Sequence, residues 1–169
     1  YEEIYPNEPI QISAGPVGDL YEGASRPGHF AGVLTVVNRL FEIVKPSTAV
    51  FGEKDFQQLW LIKNHFKKIQ IASIPTVREF DGLALSSRNI RLTESDRAAA
   101  LIISKALKEP ARMQEILATQ PAFKLDYAEI IDEKTFQLAS ATTQNKRAII
   151  AGWVNGVRLL DNAVVESNS

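Results

Sequence analysis

The stretch around Gly52 constrains the fold more than any other part of this chain. Thr48–Phe51 has the composition of a short buried strand, and from Phe56 onward apolar residues recur at helical spacing. A second strand-like run follows at Ile69–Ile74. Strand, helix and strand in this order predict an α/β fold with a parallel sheet and a right-handed crossover connection.

The turn between the first strand and the helix has the composition of a phosphate site. Gly52-Glu53-Lys54-Asp55 lies where backbone N–H groups and the positive end of the helix dipole would meet a ligand beside a lysine. The residues also fit a purely structural turn, because Asp55 and Gln58 have the spacing of a capping box. The spacing by itself leaves both interpretations open.

The chain changes character after Gly82. Thr93 and Asp96 have the spacing of an N-terminal capping box, and Asn155-Gly156 between two apolar runs is typical of a β-hairpin turn. These signals predict a small α+β domain. We therefore expect two domains, an α/β domain at residues 1–82 and an α+β domain at residues 83–169.

Apolar residues at steps of three and four predict a long helix that begins at His29 and ends before Pro46. Arg26 and His29 at its start could bind an anion. A capping loop with a surface histidine explains them equally well.

The segment Ser86-Ser87-Arg88 has two interpretations as well. Two hydroxyl groups, successive N–H groups and a forked guanidinium match a triphosphate. The same residues are also ordinary in a polar loop, and the loop is the more frequent case when nothing else is known.

Composition excludes several classes of function. The net charge of −1 gives no global field that would recruit nucleic acid or an anionic membrane. The chain has no cysteine, which excludes disulfides, thiol catalysis and zinc–thiolate sites within these residues. It also has no apolar stretch approaching the ~20 residues of a membrane helix.

Three blocks of residues together resemble the pantothenate synthetase family of the nucleotidylyltransferase superfamily. The resemblance implies the second half of a Rossmann-like parallel sheet, followed by a small α+β C-terminal domain. It also implies an upstream half with a His-x-Gly-His phosphate motif, so we expect these residues alone to be inactive. The blocks are Arg26-Pro27-Gly28-His29-Phe30, Phe51–Leu59 and Asp81–Asn89.

The resemblance implies a role for each candidate residue. Lys54 would be catalytic and would hold the ATP phosphates in the transition state, while Gln58 would bind pantoate. Arg26 and His29 would order the substrate or bind an anion. Contacts with ATP are implied for Gly52, Glu53, Lys54, Asp55, Val77, Leu85, Ser86, Ser87 and Arg88.

The implied reaction is the ATP-dependent ligation of pantoate and β-alanine to pantothenate, through a pantoyl-adenylate intermediate, on the pathway to coenzyme A. Mg²⁺ would be held by the nucleotide, so no metal ligand is named in this chain. The family resemblance also implies a cytoplasmic homodimer. Two alternatives stay open at this point: another nucleotidylyltransferase, or a non-catalytic dimerisation module. An upstream His-x-Gly-His motif would identify the enzyme, and ATP binding would exclude the inert module.

Overall fold

The computed structural model describes residue 4, residue 8 and residues 10–166. The chain separates into two compact units, Tyr1–Ile74 and Pro75–Ser169. The sequence-based boundary lies later, after Gly82, because residues 75–82 are tied to the second unit by contacts that no local pattern reveals. Arg78, for example, forms a bidentate ion pair with Asp161, 83 positions away along the chain.

The first unit is built on two parallel strands joined by a helix. Its helices are α1 (Glu22–Ser25), α2 (His29–Val44) and α3 (Phe56–His65), its strands are β1 (Thr48–Gly52) and β2 (Gln70–Ile74), and 3₁₀ turns cover Pro16–Asp19 and Glu53–Asp55. β1 and β2 pair in parallel from Thr48↔Gln70 to Gly52↔Ile74. The predicted parallel sheet is confirmed, and both strands end at the same edge.

Helix α2 has the bounds that its apolar spacing predicts. Its buried side chains Phe30 and Leu34 pack against α3, and burial of each contributes about 1.5–3 kcal/mol. The helix ends where Lys45 adopts a left-handed conformation, with φ 51, directly before Pro46. Neither α2 nor any other helix that the structure describes is long and apolar enough to cross a membrane.

The loop before α2 is tightly folded. A Cβ atom at Gly23 would lie 1.8 Å from the carbonyl oxygen of Gly18, so the two backbone segments touch here. Tyr21 has φ 49 and ψ −109, backbone values that residues with side chains rarely adopt. Tertiary contacts, rather than local preference, therefore hold this loop in place.

The second unit combines three short helices with an antiparallel sheet. It contains α4 (Glu94–Ala100), α5 (Ile102–Lys108), α6 (Met113–Ala118), β3 (Phe123–Asp132), β4 (Lys146–Val154), β5 (Val157–Val165), and 3₁₀ turns at Ser87–Arg91 and Pro110–Arg112. The strand order is β3-β4-β5, and the helices bury their apolar faces against the sheet. This is the α+β arrangement that the sequence predicts.

Two local signals in the second unit are confirmed. Thr93 caps α4 through a complete capping box with Asp96. Asn155 and Gly156 both have positive φ, 47 and 76, as a tight primed hairpin turn between β4 and β5 requires. Both signals are local, so neighbouring residues suffice to encode them.

The close approach at Gly23 leads to a stability prediction. Gly23→Ala should lower the free energy of unfolding by about 1–3 kcal/mol, because the new methyl group meets fixed backbone. The matched control is Gly32→Ala in α2, where no described atom lies within 4 Å of the new Cβ and a gain of up to about 1 kcal/mol is expected. Urea unfolding measures both, and an unchanged Gly23→Ala midpoint would contradict the rigid loop.

Candidate functional site

The Gly52–Asp55 turn lies at the carboxyl edge of the parallel sheet. β1 ends at Gly52, which pairs with Ile74 at the end of β2. The Ser73 hydroxyl of β2 donates to Oε1 of Glu53 at 3.0 Å and fastens the turn to the neighbouring strand. Ligands of open α/β sheets bind outside the carboxyl ends of the strands, so the turn occupies the expected place for a site.

The predicted capping box at Asp55 is wrong. The Asp55 side chain makes no capping hydrogen bond to the described backbone. The reason is that Glu53–Asp55 forms a 3₁₀ turn before α3, and Asp55 has φ −92 and ψ 63 there. Its carboxylate instead lies 3.8 Å from Nζ of Lys54. The structural explanation for this turn therefore loses its main support.

Lys54 is largely covered by its surroundings. Only 22% of its side chain is exposed. At 3.8 Å, the ion pair with Asp55 is too long for a good hydrogen bond and leaves the ammonium group loosely held by that partner. A partly covered cation at a strand–helix turn is suited to bind an anionic ligand.

Gly52 borders open space. No atom of the described residues lies within 4 Å of the position that a Cβ atom would take. Its φ of −77 and ψ of 142 are accessible to any residue, so the backbone does not require glycine. The missing side chain leaves room for close approach to the backbone of the turn.

Two neighbouring glutamines at the start of α3 have different environments. The side chain of Gln58 is half-buried and makes no hydrogen bond to any other described residue. Gln57 is 6% exposed, and both polar atoms of its amide form hydrogen bonds. Since the cap at Asp55 does not form, the amide of Gln58 remains available for a ligand.

Gln57 is a residue that sequence reasoning missed. Its Nε2 donates to the carbonyl oxygens of Val17 and Leu20 at 2.7 and 2.8 Å, and its Oε1 accepts from the Glu22 N–H at 3.1 Å. The signal was present, because Gln57 lies one helical turn before Leu61 on the buried face of α3. An amide on a core face needs partners, and here they lie in the loop that leads to α2.

Arg26 and His29 form one pair at the start of α2. Nη1 of Arg26 lies 2.9 Å from Nε2 of His29. An arginine only donates, so Nε2 of His29 is the acceptor in this hydrogen bond. The ring of His29 also lies beside that of Phe30, with 5.2 Å between centroids. The two candidate residues are therefore joined by a hydrogen bond.

In the second unit, Val77 and Leu85 are brought together by a small hairpin. The Leu85 N–H donates to the carbonyl oxygen of Val77 at 2.9 Å, and the Glu79 N–H donates to the carbonyl oxygen of Leu83 at 2.8 Å. The side chain of Leu85 is exposed. The two predicted adenosine contacts are thus neighbours across a backbone ladder and not separate loop residues.

The segment Ser86-Ser87-Arg88 continues from this hairpin into a 3₁₀ turn. The hydroxyl oxygen of Ser86 accepts from the Arg88 N–H at 3.3 Å, and Nη1 of Arg88 donates to the carbonyl oxygen of Arg158 at 3.3 Å. Leu83 and Ala84, directly before the segment, are buried. The segment is fixed at its root, while Leu85 and Ser87 face solvent.

Charged groups surround the hairpin turn. The Arg97 guanidinium, through its hydrogen bond, holds the pKa of Asp81 below its usual value. The pKa of Glu79 is lowered by hydrogen bonds from the Asn89 amide and from Arg97. Both carboxyl groups therefore stay ionised around neutral pH and keep Arg97 between them.

The predicted site residues are thus divided between the two units. The first unit holds the Gly52–Asp55 turn with Gln58, and the Arg26–His29 pair. The second unit holds the hairpin residues Val77 and Leu85 and the segment 86–88.

The contrast between the two glutamines can be tested by stability. Gln57→Leu should lower the free energy of unfolding by on the order of 2–3 kcal/mol, because two carbonyl groups and one N–H group lose their buried partner. Gln58→Leu, the matched control, should change it by less than about 0.5 kcal/mol. Urea unfolding of the two variants decides the question, and equal effects would contradict the assignment.

Comparison with known proteins shows the family. The family model described as pantoate-beta-alanine ligase matches residues 1–164. The pantothenate synthetase of Saccharopolyspora erythraea is 45% identical over an alignment of 182 positions. The alignment covers 97% of this chain and 59% of that protein. The pantothenate synthetase of Acidothermus cellulolyticus is 43% identical, with 95% of this chain and 60% of that protein covered.

Solved structures agree with this result. A crystal structure of pantothenate synthetase from Thermus thermophilus matches with a TM-score of 0.89 and 39% identity, over 96% of this chain and 66% of that chain. A pantoate-beta-alanine ligase from Francisella tularensis, complexed with beta-gamma ATP and beta-alanine, matches with a TM-score of 0.73 and 33% identity, over 96% of this chain and 61% of that chain. The chain thus spans about 60% of the length of its relatives. Both the predicted fold class and the sequence resemblance are confirmed: the chain belongs to the pantoate-beta-alanine ligase family.

Proposed function

We propose that these residues form part of an enzyme that joins pantoate and β-alanine at the expense of ATP. The observation that carries the proposal is the Gly52–Asp55 turn, with a partly covered lysine at the carboxyl edge of a parallel sheet. The relative from Francisella tularensis, complexed with beta-gamma ATP and beta-alanine, supports the same substrates.

The proposed reaction has two steps. The pantoate carboxylate attacks the α-phosphorus of ATP, and pyrophosphate leaves with the electrons of the broken P–O bond. The amine of β-alanine then attacks the carbonyl carbon of the pantoyl adenylate, AMP leaves, and the amine proton passes to solvent. No covalent bond to the protein is needed, so the residues act by positioning and by charge.

Lys54 is the residue that we assign to the first step. Negative charge builds up on the phosphate oxygens as the new P–O bond forms, and an ammonium group held at the turn stabilises that charge. The open space beside Gly52 allows a phosphate to approach the backbone. Glu53 and Asp55 complete this turn as ATP contacts.

The acid substrate would meet the residues around the start of α3 and α2. The amide of Gln58 offers a donor and an acceptor, which suits a ligand with hydroxyl and carboxylate groups. The Arg26–His29 pair adds a cation that can order the substrate or bind its anionic group.

For residues of the second unit, we propose nucleotide contacts on the family resemblance. Val77 and Leu85 would face the adenosine, and Ser86, Ser87 and Arg88 would face the phosphates. Hydroxyl groups, N–H groups and a guanidinium are suitable partners for phosphate oxygens.

Mg²⁺ enters the proposal as an ion bound by the nucleotide, because triphosphate oxygens are ligands that it prefers. The described residues contain no group of three acidic or histidine side chains placed to hold a metal, and we name no protein ligand. When bound, the ion would neutralise phosphate charge. A homodimer in the cytoplasm stays a prediction of the family resemblance.

The proposal is tested by pantoate-dependent exchange of pyrophosphate into ATP, in a chain of the relatives' length that carries these residues. Exchange should require pantoate and ATP but not β-alanine, and adding β-alanine should give AMP and pantothenate. Exchange with a different acid would favour another nucleotidylyltransferase. No ATP binding at all would favour a non-catalytic module.

Lys54→Ala should lower pyrophosphate exchange by at least about 10²-fold, the effect of removing one preorganised transition-state partner. Urea unfolding of the same variant distinguishes a loss of exchange from a loss of the fold. Lys63→Ala, on the exposed side of α3, serves as the control and should leave exchange unchanged. Near-normal exchange in Lys54→Ala would remove the residue from the mechanism.

Hydrogen exchange tests the nucleotide contacts of the second unit. Mg-ATP should slow amide exchange at Leu85–Arg88, where the side chains of Leu85 and Ser87 face solvent, by about tenfold or more. Leu83, Ala84 and Asn89 are already buried and should change less. Identical protection with and without nucleotide across the whole segment would show that it is only a structural connection.

A further inference from the structure

Arg97 makes a double ion pair with the turn of the small hairpin. Its Nη2 lies 2.6 Å from Oε2 of Glu79, and its Nε lies 2.6 Å from Oδ2 of Asp81. The guanidinium also lies 5.8 Å from the ring centroid of Phe80, the residue between the two acids. A single side chain of α4 thereby contacts three consecutive residues of the turn.

The turn that Arg97 holds sets the position of the predicted adenosine contacts. The Gly82 N–H donates to the carbonyl oxygen of Glu79 at 2.9 Å and closes the turn, and the ladder continues to the bond between Leu85 and Val77. A rigid turn therefore fixes both ladder strands. A displaced turn would shift Val77 and Leu85 together.

A second arginine, Arg78 within the hairpin itself, joins the hairpin to β5. Arg78 reaches both carboxylate oxygens of Asp161 at 2.6 and 3.2 Å, and its Nη1 also donates to the carbonyl oxygen of Gly82 at 3.0 Å. Asp161 lies in β5 and is buried. The hairpin is thus tied to β5 through Arg78 and to α4 through Arg97.

Glu79 connects the hairpin to the phosphate segment. While Oε2 of Glu79 accepts from Arg97, its Oε1 accepts from Nδ2 of Asn89 at 2.6 Å, and the same Nδ2 donates to the carbonyl oxygen of Ala84 at 3.0 Å. Asn89 follows directly on Ser86-Ser87-Arg88. The orientation of Glu79 therefore affects both ends of the nucleotide-contacting segment.

We propose that Arg97 is a positioning residue for nucleotide binding, which holds the Glu79–Leu83 turn and through it aligns Val77, Leu85 and the segment 86–88. The inference rests on the proposed function for its nucleotide. The planar fork of arginine matches two carboxylates at fixed angles, whereas lysine offers only a point charge. Without Arg97, the like charges of Glu79 and Asp81 repel each other and the turn loses its shape.

The structural arm of the test compares Arg97→Gln and Arg97→Lys with a matched control. Arg112 also makes two ion pairs, with Glu109 and Glu115, but outside the hairpin. Amide exchange at Leu83 and Leu85, whose N–H groups lie in the turn and the ladder, should accelerate at least about tenfold in Arg97→Gln and be partly restored in Arg97→Lys. Arg112→Gln should leave it unchanged.

The functional arm is pantoate-dependent pyrophosphate exchange in the chain of the relatives' length. Arg97→Gln should raise the KM for ATP by about tenfold or more, with the KM for pantoate within about twofold, because only the nucleotide contacts lose alignment. Arg97→Lys should restore part of the affinity, and Arg112→Gln should match the unsubstituted enzyme. Thermal unfolding of each variant identifies any loss of the whole fold.

The outcomes separate this inference from the function on which it rests. If the unsubstituted enzyme performs no exchange with pantoate, the proposed function fails, while the amide-exchange arm still decides whether Arg97 holds the hairpin. If exchange occurs and Arg97→Gln leaves both the KM for ATP and the hairpin amides unchanged, the positioning role is overturned. Equal increases in the KM for ATP and pantoate would also overturn it, since they indicate a general structural role.

Discussion

The buried amide of Gln57 is the interaction on which the arrangement of the first unit depends. Its bonds to Val17, Leu20 and Glu22 join the start of α3 to the loop that leads into α2. A buried backbone group that loses its hydrogen-bond partner lowers the free energy of unfolding, so the three bonds of Gln57 stabilise the connection between α3 and this loop. The positions of the Gly52–Asp55 turn and of the Arg26–His29 pair follow from how α3 and α2 are fixed at this point.

In the second unit, ion pairs hold the hairpin that carries candidate site residues. Arg97 reaches the hairpin from α4, and Arg78 of the hairpin reaches Asp161 of β5, so three acidic side chains receive the two arginines. Ion pairs of this kind are directional because the guanidinium is planar and donates in fixed directions. The residues proposed to touch the nucleotide need no stabilising role of their own, since neighbouring residues hold the backbone that carries them.

Sequence patterns predicted the elements whose signals are local. The bounds of α2, the capping box at Thr93 and the turn at Asn155-Gly156 all depend on residues within one or two turns of each other. The same capping rule failed at Asp55, because the spacing of two side chains does not show that a 3₁₀ turn precedes the helix. A capping motif therefore predicts the capping hydrogen bond only where the backbone before the helix has the conformation of an N-cap residue.

The parts that sequence reasoning missed are long-range contacts. Gln57 meets Val17 across 40 positions, and Arg78 meets Asp161 across 83. No period or spacing connects such partners, although a glutamine on an apolar helix face does indicate that a partner exists. The candidate site residues themselves came from resemblance to a family, and the structure adds which of them share a backbone ladder or a hydrogen bond.

Gly52 allows binding to be separated from folding. Its backbone conformation suits any residue, and a methyl group there would meet no atom of the described residues. Alanine at this position would act as a steric probe of the ligand alone. Few positions in a binding turn offer this, because most carry a side chain on which the fold also depends.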